Sequence, residues 1–267
     1  MDILYVIGKG SHKRNIELRM SLRSICKYGK NIDNVIVVGK PPKWLSDKVI
    51  KLEVNDKFSY KHQNILYCIE IAMEENLING DFLYSSDDHF YVKQTDFNCY
   101  PYYVKGELRR AVNRTDPYYQ YHRSMYDTRL ICEKNGLPTL NYSQHCNTHM
   151  HTDVLRRILP IIHDTYKLPY GVEPTSIIMN AWMTMENPPI TVHRDDIKLQ
   201  KANNIEDIYS QIGERDCFSI ADSIFKNQAI FDFFDAEYPD ASQYECDFDD
   251  NSKSTLCPID LRFPSML

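Results

Sequence analysis

The sequence lacks any apolar run approaching the roughly 18 residues that a helix needs to cross a bilayer. The apolar residues 1–8 are too short for the hydrophobic part of a secretory signal, and no basic segment precedes them. We therefore expect no membrane span and a cytoplasmic location. The same residues are interpreted as a buried strand that opens the fold.

The sequence also lacks a CxxC pair, although it contains eight cysteines. The missing pair argues against a structural zinc knuckle. The cysteines are widely scattered in a long chain without a recognisable secretory signal. This pattern favours reduced thiols over a disulfide framework.

An excess of basic residues is absent as well. The net charge is −6 and the pI is about 5.8, which disfavours broad, non-specific binding to nucleic acid or anionic membranes. Glycine and proline are not in excess, and 43% of the residues are hydrophobic, which excludes a wholly disordered chain. The length suits one large domain with a sizeable core.

Short apolar runs alternate with amphipathic segments in the N-terminal half. Strands are predicted at residues 2–7, 34–38, 48–54 and 82–84, and helices at residues 15–28 and 62–77. This order predicts an α/β fold with a mostly parallel, Rossmann-like sheet flanked by helices. Ligands of such sheets bind beyond the carboxyl ends of the strands.

The pattern weakens after about residue 94. Two more helices are predicted at residues 123–134 and 152–166, and a strand at residues 190–193. We assign residues 1–95 to a donor-binding half and residues 96–240 to an acceptor-side region of the same domain. Residues 241–267 are predicted to form a polar tail.

The predicted strand at residues 82–84 continues through Ser85 and Ser86 into Asp87 and Asp88. Hard cations such as Mg²⁺ and Mn²⁺ prefer oxygen ligands, often one or two carboxylates together with phosphate oxygens. The pair therefore predicts a metal site, with His89 as a further ligand or a supporting residue. The alternative is a solvated turn.

Two long motifs resemble the Stealth family of sugar-phosphate and capsule-type transferases, whose fold is similar to GT-A glycosyltransferases. Residues 14–24 (RNIELRMSLRS) match that family's R-[DN]-x-E-L-R-x-S-L-R-S helix. Residues 82–90 (FLYSSDDHF) are similar to its F-x-Y-x-x-D-D-x-F strand end. Residues 142–145 (YSQH) and 218–222 (FSIAD) resemble two later blocks more weakly.

The resemblance implies a nucleotide-sugar donor, a divalent metal, and transfer of a sugar or a sugar phosphate. Three departures accompany it. Residues 7–10 (IGKG) stand where an aromatic-valine-aspartate-glycine run is usual, Asn147 stands where a proline is expected, and Ala221 replaces an asparagine.

Arg19 and Arg23 lie four residues apart and share one face of the first predicted helix. An arginine fork is well suited to a diphosphate, so both are candidate donor ligands. The alternative is an exposed pair that contacts Glu17 or solvent.

Gly8, Lys61 and Asn64 are further candidates for donor binding. Gly8 follows the first strand, where backbone N–H groups can approach a nucleotide, although a plain turn explains it equally well. Lys61 and Asn64 begin the second helix, whose N-terminus favours anions. Simple helix capping is the alternative.

His145 and Asp222 are the candidate catalytic residues. His145 is predicted to act as a base toward the acceptor or as a metal ligand. His149 and His151 have an H-x-H spacing that also suits a metal on a strand, and the alternative is that two of these three histidines lie on the surface. Asp222 is predicted to orient an acceptor hydroxyl or to complete the metal shell. Its alternative role is a helix N-cap.

A tyrosine-rich stretch at residues 100–126 also carries four arginines, Arg109, Arg110, Arg114 and Arg123. Aromatic faces stack on sugars or bases, so this stretch is a candidate acceptor platform. The alternative is a set of core aromatics beneath a long loop.

These observations predict a metal-dependent glycosyltransferase that moves a sugar from a nucleotide-sugar donor to a glycan or small-molecule acceptor. The alternatives are a sugar-1-phosphate transferase of the Stealth type and a glycosyltransferase acting on modified bases in DNA. A non-catalytic sugar-binding module with the same fold is a further alternative.

Overall fold

The structure, a computed structural model, describes residues 1–8, 15–185, 191–194 and 196–246. Its α-helices are α1 (Ile16–Tyr28), α2 (Lys61–Glu74), α3 (Tyr119–Lys134), α4 (Thr152–Thr165), α5 (Pro174–Met185), α6 (Ile205–Ile212) and α7 (Ala229–Glu237). Two short 3₁₀ helices span Phe97–Cys99 and Asp222–Lys226. None of these described helices combines the length and the apolarity needed to cross a membrane.

The strands complete the set of regular elements. They are β1 (Asp2–Ile7), β2 (Gly29–Lys30), β3 (Val35–Gly39), β4 (Val49–Glu53), β5 (Asp81–Ser85), β6 (His89–Tyr91), β7 (Thr95–Asp96), β8 (Tyr102–Val104), β9 (Gly106–Glu107), β10 (Leu140–Asn141), β11 (Thr148–His151), β12 (Thr191–His193), β13 (Lys198–Leu199) and β14 (Cys217–Ile220). The predicted strands and helices of the N-terminal half all form, with no boundary shifted by more than three residues.

A five-stranded sheet in the order β11-β5-β1-β3-β4 forms the centre of the fold. Its strands β5, β1, β3 and β4 run parallel, and β11 pairs with β5 in the antiparallel direction. Every residue of β3 is buried, as expected for a parallel strand covered on both faces. The predicted α/β class with a mostly parallel sheet is confirmed.

Helices cover both faces of this sheet because side chains alternate along each strand. Ile3 and Tyr5 of β1 pack in one cluster with the buried stripe Leu18, Leu22 and Ile25 of α1. Leu4, on the opposite face, packs in a second cluster to which α2, α4 and α5 contribute. Burying one such aliphatic side chain contributes about 1.5–3 kcal/mol.

A smaller three-stranded sheet, in the order β13-β14-β6, follows directly from the central one. Strand β6 begins one residue after Asp88 and pairs antiparallel with β14, where Phe90 faces Phe218. A third apolar cluster from α6 and α7 covers this sheet. The arrangement brings residues of the distant C-terminal region next to the predicted metal pair.

Some predictions for individual segments need refinement. Asn15, the first residue of the helix predicted at residues 15–28, instead precedes α1 with a left-handed φ of 57°. Of the strand predicted at residues 190–193, residues 191–193 form β12, and residue 190 lies outside the described residues. Helix α5 was not predicted, because its first nine residues are all buried and show no polar stripe.

The predicted polar tail begins with residues that pack against the domain. The backbone N–H of Ser46 donates to the carbonyl of Tyr244 at 2.9 Å, and Leu45 forms an isolated β-bridge with Glu245. Tyr244 is buried. Residues 241–246 are therefore part of the folded unit, and residues 247–267 lie outside the described residues.

Candidate functional site

A large cleft opens at the carboxyl ends of β1 and β5, where Gly8 follows one strand and Asp87 follows the other. From β1 the chain proceeds to β3 and β4 on one side, and β5 then pairs on the other side of β1. Such a reversal of strand order is where open α/β sheets bind ligands. The cleft has a volume of about 1890 Å³.

Asp87 and Asp88 are half-buried and both line this cleft. Two donors hold Asp88 from the smaller sheet. The Ser219 hydroxyl donates to Oδ2 at 2.8 Å, and Nζ of Lys198 donates to the same oxygen at 2.9 Å. The pairing of β14 with β6 thus orients the second carboxylate of the pair.

The two carboxylates differ in their electrostatic surroundings. Burial raises the pKa of Asp87, and the neighbouring charges of Asp88 and Glu17 raise it further. Burial also opposes ionisation of Asp88, but the Lys198 ammonium lowers its pKa overall. Asp88 is therefore firmly ionised, whereas the ionised form of Asp87 would be stabilised by a nearby positive charge.

The described residues contain no group of three or more His, Cys, Asp or Glu side chains arranged to hold a metal. Lys198 and Ser219 both contact Oδ2 of Asp88, so within the acidic pair Oδ1 of Asp88 and the carboxylate of Asp87 are the oxygens placed to bind a cation. Mg²⁺ commonly binds one or two carboxylates plus substrate phosphates rather than a complete protein cage. The donor set therefore fits a cation that shares the phosphates of its ligand.

His89 lies behind the acidic pair and is buried. Its Nδ1 accepts from the backbone N–H of Ser86 at 3.3 Å, so the neutral ring carries its proton on Nε2, which lies 4.0 Å from Oδ1 of Asp88. Burial lowers the pKa of this imidazole. This geometry favours the supporting role for His89 over a place among the metal ligands.

His145 and Asp222, the candidate catalytic residues, both line the cleft. Burial, followed by the positive charge of Lys105, lowers the pKa of His145 to about 4. Its backbone N–H donates to the carboxylate of Asp196, which also pairs with Lys105 at 3.1 Å. His145 is therefore neutral at pH 7, and its lowered pKa makes it a weaker base than an ordinary histidine.

Gly8, Lys61 and Asn64 also line the cleft. Asn64, however, directs its side chain to the loop before α2. Its Oδ1 accepts from the backbone N–H groups of Lys57 at 3.0 Å and Phe58 at 2.8 Å. Asn64 thus shapes the cleft wall. Among Gly8, Lys61 and Asn64, only Lys61 brings a charge to the cleft, and its side chain is exposed.

Arg19 and Arg23 do not line the cleft, in contrast to the prediction. Arg23 forms a two-pronged pair with Glu245 at 2.8 and 3.0 Å, and Arg19 lies 3.5 Å from the same carboxylate. The Arg19 guanidinium also stacks over the Trp44 ring, 4.6 Å from its centroid. Their shared helix face anchors the C-terminal segment of the described chain rather than a donor phosphate.

The tyrosine-rich stretch divides between the core and the cleft. Tyr100 is buried, while Tyr118, Tyr119 and Tyr121 line the cleft. The four arginines are not among the described residues that line it; Arg123 instead pairs with Asp127 at 2.9 Å. The core alternative is therefore confirmed for Tyr100, whereas an acceptor platform stays a prediction for the tyrosines that line the cleft.

The H-x-H pair lies outside the cleft. His149 is buried, and its Nε2 contacts the carbonyl oxygen of Tyr100 at 2.6 Å. His151 precedes α4, and its Nδ1 accepts from the backbone N–H of Asp153 at 3.1 Å. These contacts assign both residues to the architecture of the fold.

Sequence reasoning missed Lys198 and Ser219, which contact Asp88 from more than 100 residues away along the chain. It also missed Tyr60 and Tyr170, which line the cleft. Lys198, Tyr60 and Tyr170 belong to no local motif that marks them. The signal for Ser219 was its place within residues 218–222, one of the weaker matches to the Stealth pattern.

A comparison with protein-family models finds no match for the chain, and a comparison with curated proteins finds none either. The resemblance to Stealth transferases therefore depends on the quoted motifs.

Proposed function

We propose that this protein is a metal-dependent transferase that moves a sugar from a nucleotide-sugar donor to an acceptor. The observation that carries the proposal is the position of Asp87 and Asp88. Both lie in a large cleft, directly after the buried strand β5, at the reversal of strand order. A nucleotide diphosphate bound over the strand ends would reach both carboxylates.

A divalent cation held by Asp87 and Asp88 would offset the negative charge of the departing nucleoside diphosphate. Lys198 lies against Asp88 and lines the same cleft, so its ammonium is also placed to contact a phosphate. Ser219 fixes the orientation of the Asp88 carboxylate. The exposed Lys61 at the start of α2 would meet an anion that approaches the helix N-terminus.

On the acceptor side, His145 would accept the proton of the attacking hydroxyl. Its support for this role is its place in the cleft lining, where the ring is neutral at pH 7 but, with its lowered pKa, a weak base. Asp222 lines the same cleft and would orient that hydroxyl. The oxygen of the acceptor then bonds to the anomeric carbon as the bond to the diphosphate oxygen breaks.

The test is a screen of UDP-, GDP- and CDP-sugars with purified protein and Mn²⁺, with water as the acceptor. We expect slow, metal-dependent hydrolysis of at least one donor, lost in Asp87→Asn and Asp88→Asn. Ser223→Ala is the matched control, because the Ser223 hydroxyl contacts the carbonyl of Gln200 instead of the acidic pair.

The nucleotide released identifies the reaction. A nucleoside diphosphate indicates sugar transfer, whereas a nucleoside monophosphate indicates transfer of a sugar 1-phosphate. Donor binding that survives both substitutions, without hydrolysis, would instead support a non-catalytic sugar-binding module. The proposal fails if no donor in the panel binds or is hydrolysed.

A further inference from the structure

Four tyrosines from three segments of the chain meet along one side of the cleft, and we call this set the tyrosine wall. It consists of Tyr60, Tyr119, Tyr121 and Tyr170. The ring centroids of Tyr60 and Tyr170 lie 5.5 Å apart, and those of Tyr119 and Tyr170 lie 6.0 Å apart. Tyr121 joins the set through His62, whose ring lies 5.9 Å from the Tyr121 ring and 5.1 Å from that of Tyr60.

The tyrosine wall is held in place but is not part of the core. All four rings are half-buried, whereas the core tyrosines Tyr91 and Tyr100 are at most 3% exposed. Contacts among the rings fix their positions, and the Tyr121 hydroxyl contacts that of Ser143 at 2.8 Å. Rigid, partly exposed aromatic rings offer contact area at a low cost in conformational entropy.

The charge of the cleft disfavours a polyanionic ligand at this wall. The described residues that line the cleft include four lysines and no arginine, against six carboxylates, Glu17, Asp56, Asp87, Asp88, Glu173 and Asp222. Two of the lysines, Lys105 and Lys198, are already paired with Asp196 and Asp88. A polyanion such as DNA needs several free cations.

The volume of the cleft points to a ligand larger than the donor alone. Small-molecule pockets usually measure about 300–1,000 Å³, and this cleft measures about 1890 Å³. After a nucleotide sugar is bound, space remains for several sugar units. The apolar C–H faces of neutral sugars pack well on aromatic rings.

We propose that the tyrosine wall is the acceptor subsite and that it binds a neutral oligosaccharide. The inference deepens the proposed function and rests on it, because an acceptor subsite requires a donor bound at Asp87 and Asp88 in the same cleft. A modified base in DNA, the competing acceptor, is disfavoured by the six carboxylates.

Binding of hexasaccharides by isothermal titration calorimetry tests this inference. The neutral probes are cellohexaose, chitohexaose and maltohexaose, and the anionic probes are a heparin hexasaccharide and a 20-nucleotide single-stranded DNA. We expect at least one neutral probe to bind, and to bind about tenfold or more tightly than either anionic probe.

Substitutions locate the bound saccharide. Tyr60→Ala, Tyr119→Ala and Tyr170→Ala should each weaken binding about tenfold, while the corresponding Tyr→Phe variants keep the ring and bind within about threefold of wild type. Tyr209→Ala is the control, because Tyr209 lies on α6 outside the cleft lining. Ring-¹³C-tyrosine NMR of the unsubstituted protein reports the same contacts if an alanine variant does not fold.

Donor hydrolysis with Mn²⁺, measured in parallel, separates this inference from the proposed function. Saccharide binding at the wall without donor hydrolysis would contradict the proposed function and leave the subsite standing. Donor hydrolysis without binding of a neutral probe overturns the subsite. So does tighter binding of an anionic probe, or neutral binding that the alanine variants leave unchanged.

Discussion

At the scale of single residues, Asp88 is the member of the acidic pair whose orientation other side chains fix. Ser219 and Lys198 contact one of its oxygens, and His89 lies 4.0 Å from the other. Residues that orient a metal ligand usually matter almost as much as the ligand itself. The contacts of Asp88 therefore give two tests that leave both carboxylates in place.

Substituting Ser219 with alanine removes the hydrogen bond that orients Asp88 while leaving the charge of the site unchanged. Ser219 is buried, and its hydroxyl lies 2.8 Å from Oδ2. We expect metal-supported nucleotide binding to weaken about 10- to 100-fold. Isothermal titration calorimetry with Mn²⁺ and a nucleoside diphosphate measures this, with Ser223→Ala as the control. Equal affinities for the two variants would contradict the role of Ser219.

Substituting Lys198 with methionine should change two affinities in opposite directions. Without the ammonium 2.9 Å from Oδ2, Asp88 attracts a free cation more strongly, so Mn²⁺ alone should bind more tightly. Binding of a metal-free nucleoside diphosphate should weaken about tenfold, because a positive charge at the phosphates is lost. Lys198→Arg keeps the charge and should bind the diphosphate much as wild type does. Changes of the same sign in both affinities would be inconsistent with this role.

At the scale of secondary structure, β1, whose last residues Val6 and Ile7 line the cleft, packs closely against β3. Gly39 ends β3 with a φ of +111°, and a Cβ atom there would lie 2.1 Å from the carbonyl oxygen of Ile7. The Ile7 carbonyl oxygen cannot move away from the added Cβ easily, because it also accepts a hydrogen bond from the backbone N–H of Lys40 at 2.8 Å. Only glycine satisfies this position.

Gly39→Ala should therefore destabilise the fold by at least about 3 kcal/mol. Gly136→Ala is a matched control, because Gly136 also has a positive φ of +66° but no atom within 4 Å of the added Cβ. That control should cost about 1 kcal/mol. Urea unfolding of the wild type and both variants measures these losses in the free energy of unfolding. Equal stability of the two variants would refute the close approach of β1 and β3.

Elements with a strong local pattern were predictable from the sequence, and so was the place of the acidic pair. The apolar runs of β1, β3 and β5 and the stripe of α1 dictate a buried parallel sheet, so Asp87 and Asp88 had to lie at a strand end. What the sequence could not reveal depends on distant pairing. Lys198 reaches Asp88 through β13 and β14, across 110 residues.

The same reasoning explains the incorrect placement of Arg19 and Arg23. Their spacing correctly placed them on one helix face, but the partner of that face, Glu245, lies more than 220 residues away along the chain. Local spacing reports which residues share a surface. It does not report what that surface packs against.

At the scale of the whole molecule, buried neutral histidines make the fold sensitive to acid. Burial lowers the pKa of His62 from its usual 6.5 to about 3, and its Nδ1 contacts the Ser124 hydroxyl at 2.8 Å. Burial also lowers the pKa of His149. Between pH 6.5 and about 3 the unfolded chain therefore binds protons that the folded protein does not.

Stability should consequently fall as the pH falls through that window. His62 alone should contribute a loss of about 2 kcal/mol between pH 7.5 and pH 5. Urea unfolding at both pH values measures the loss, and His62→Gln should show a pH dependence smaller by that amount, even if it is less stable at pH 7.5. Identical pH dependence in the two proteins would show that His62 is not protected from protonation.

The central claim for the molecule is that Asp87 and Asp88 hold a divalent cation together with a nucleoside diphosphate. Electron paramagnetic resonance titration of Mn²⁺, with and without UDP, GDP and CDP, tests it most directly. We predict that one of these nucleotides tightens Mn²⁺ binding by at least about tenfold, and that Asp87→Asn and Asp88→Asn abolish this gain. Mn²⁺ binding that no nucleotide strengthens, or a gain that survives both substitutions, would contradict the account.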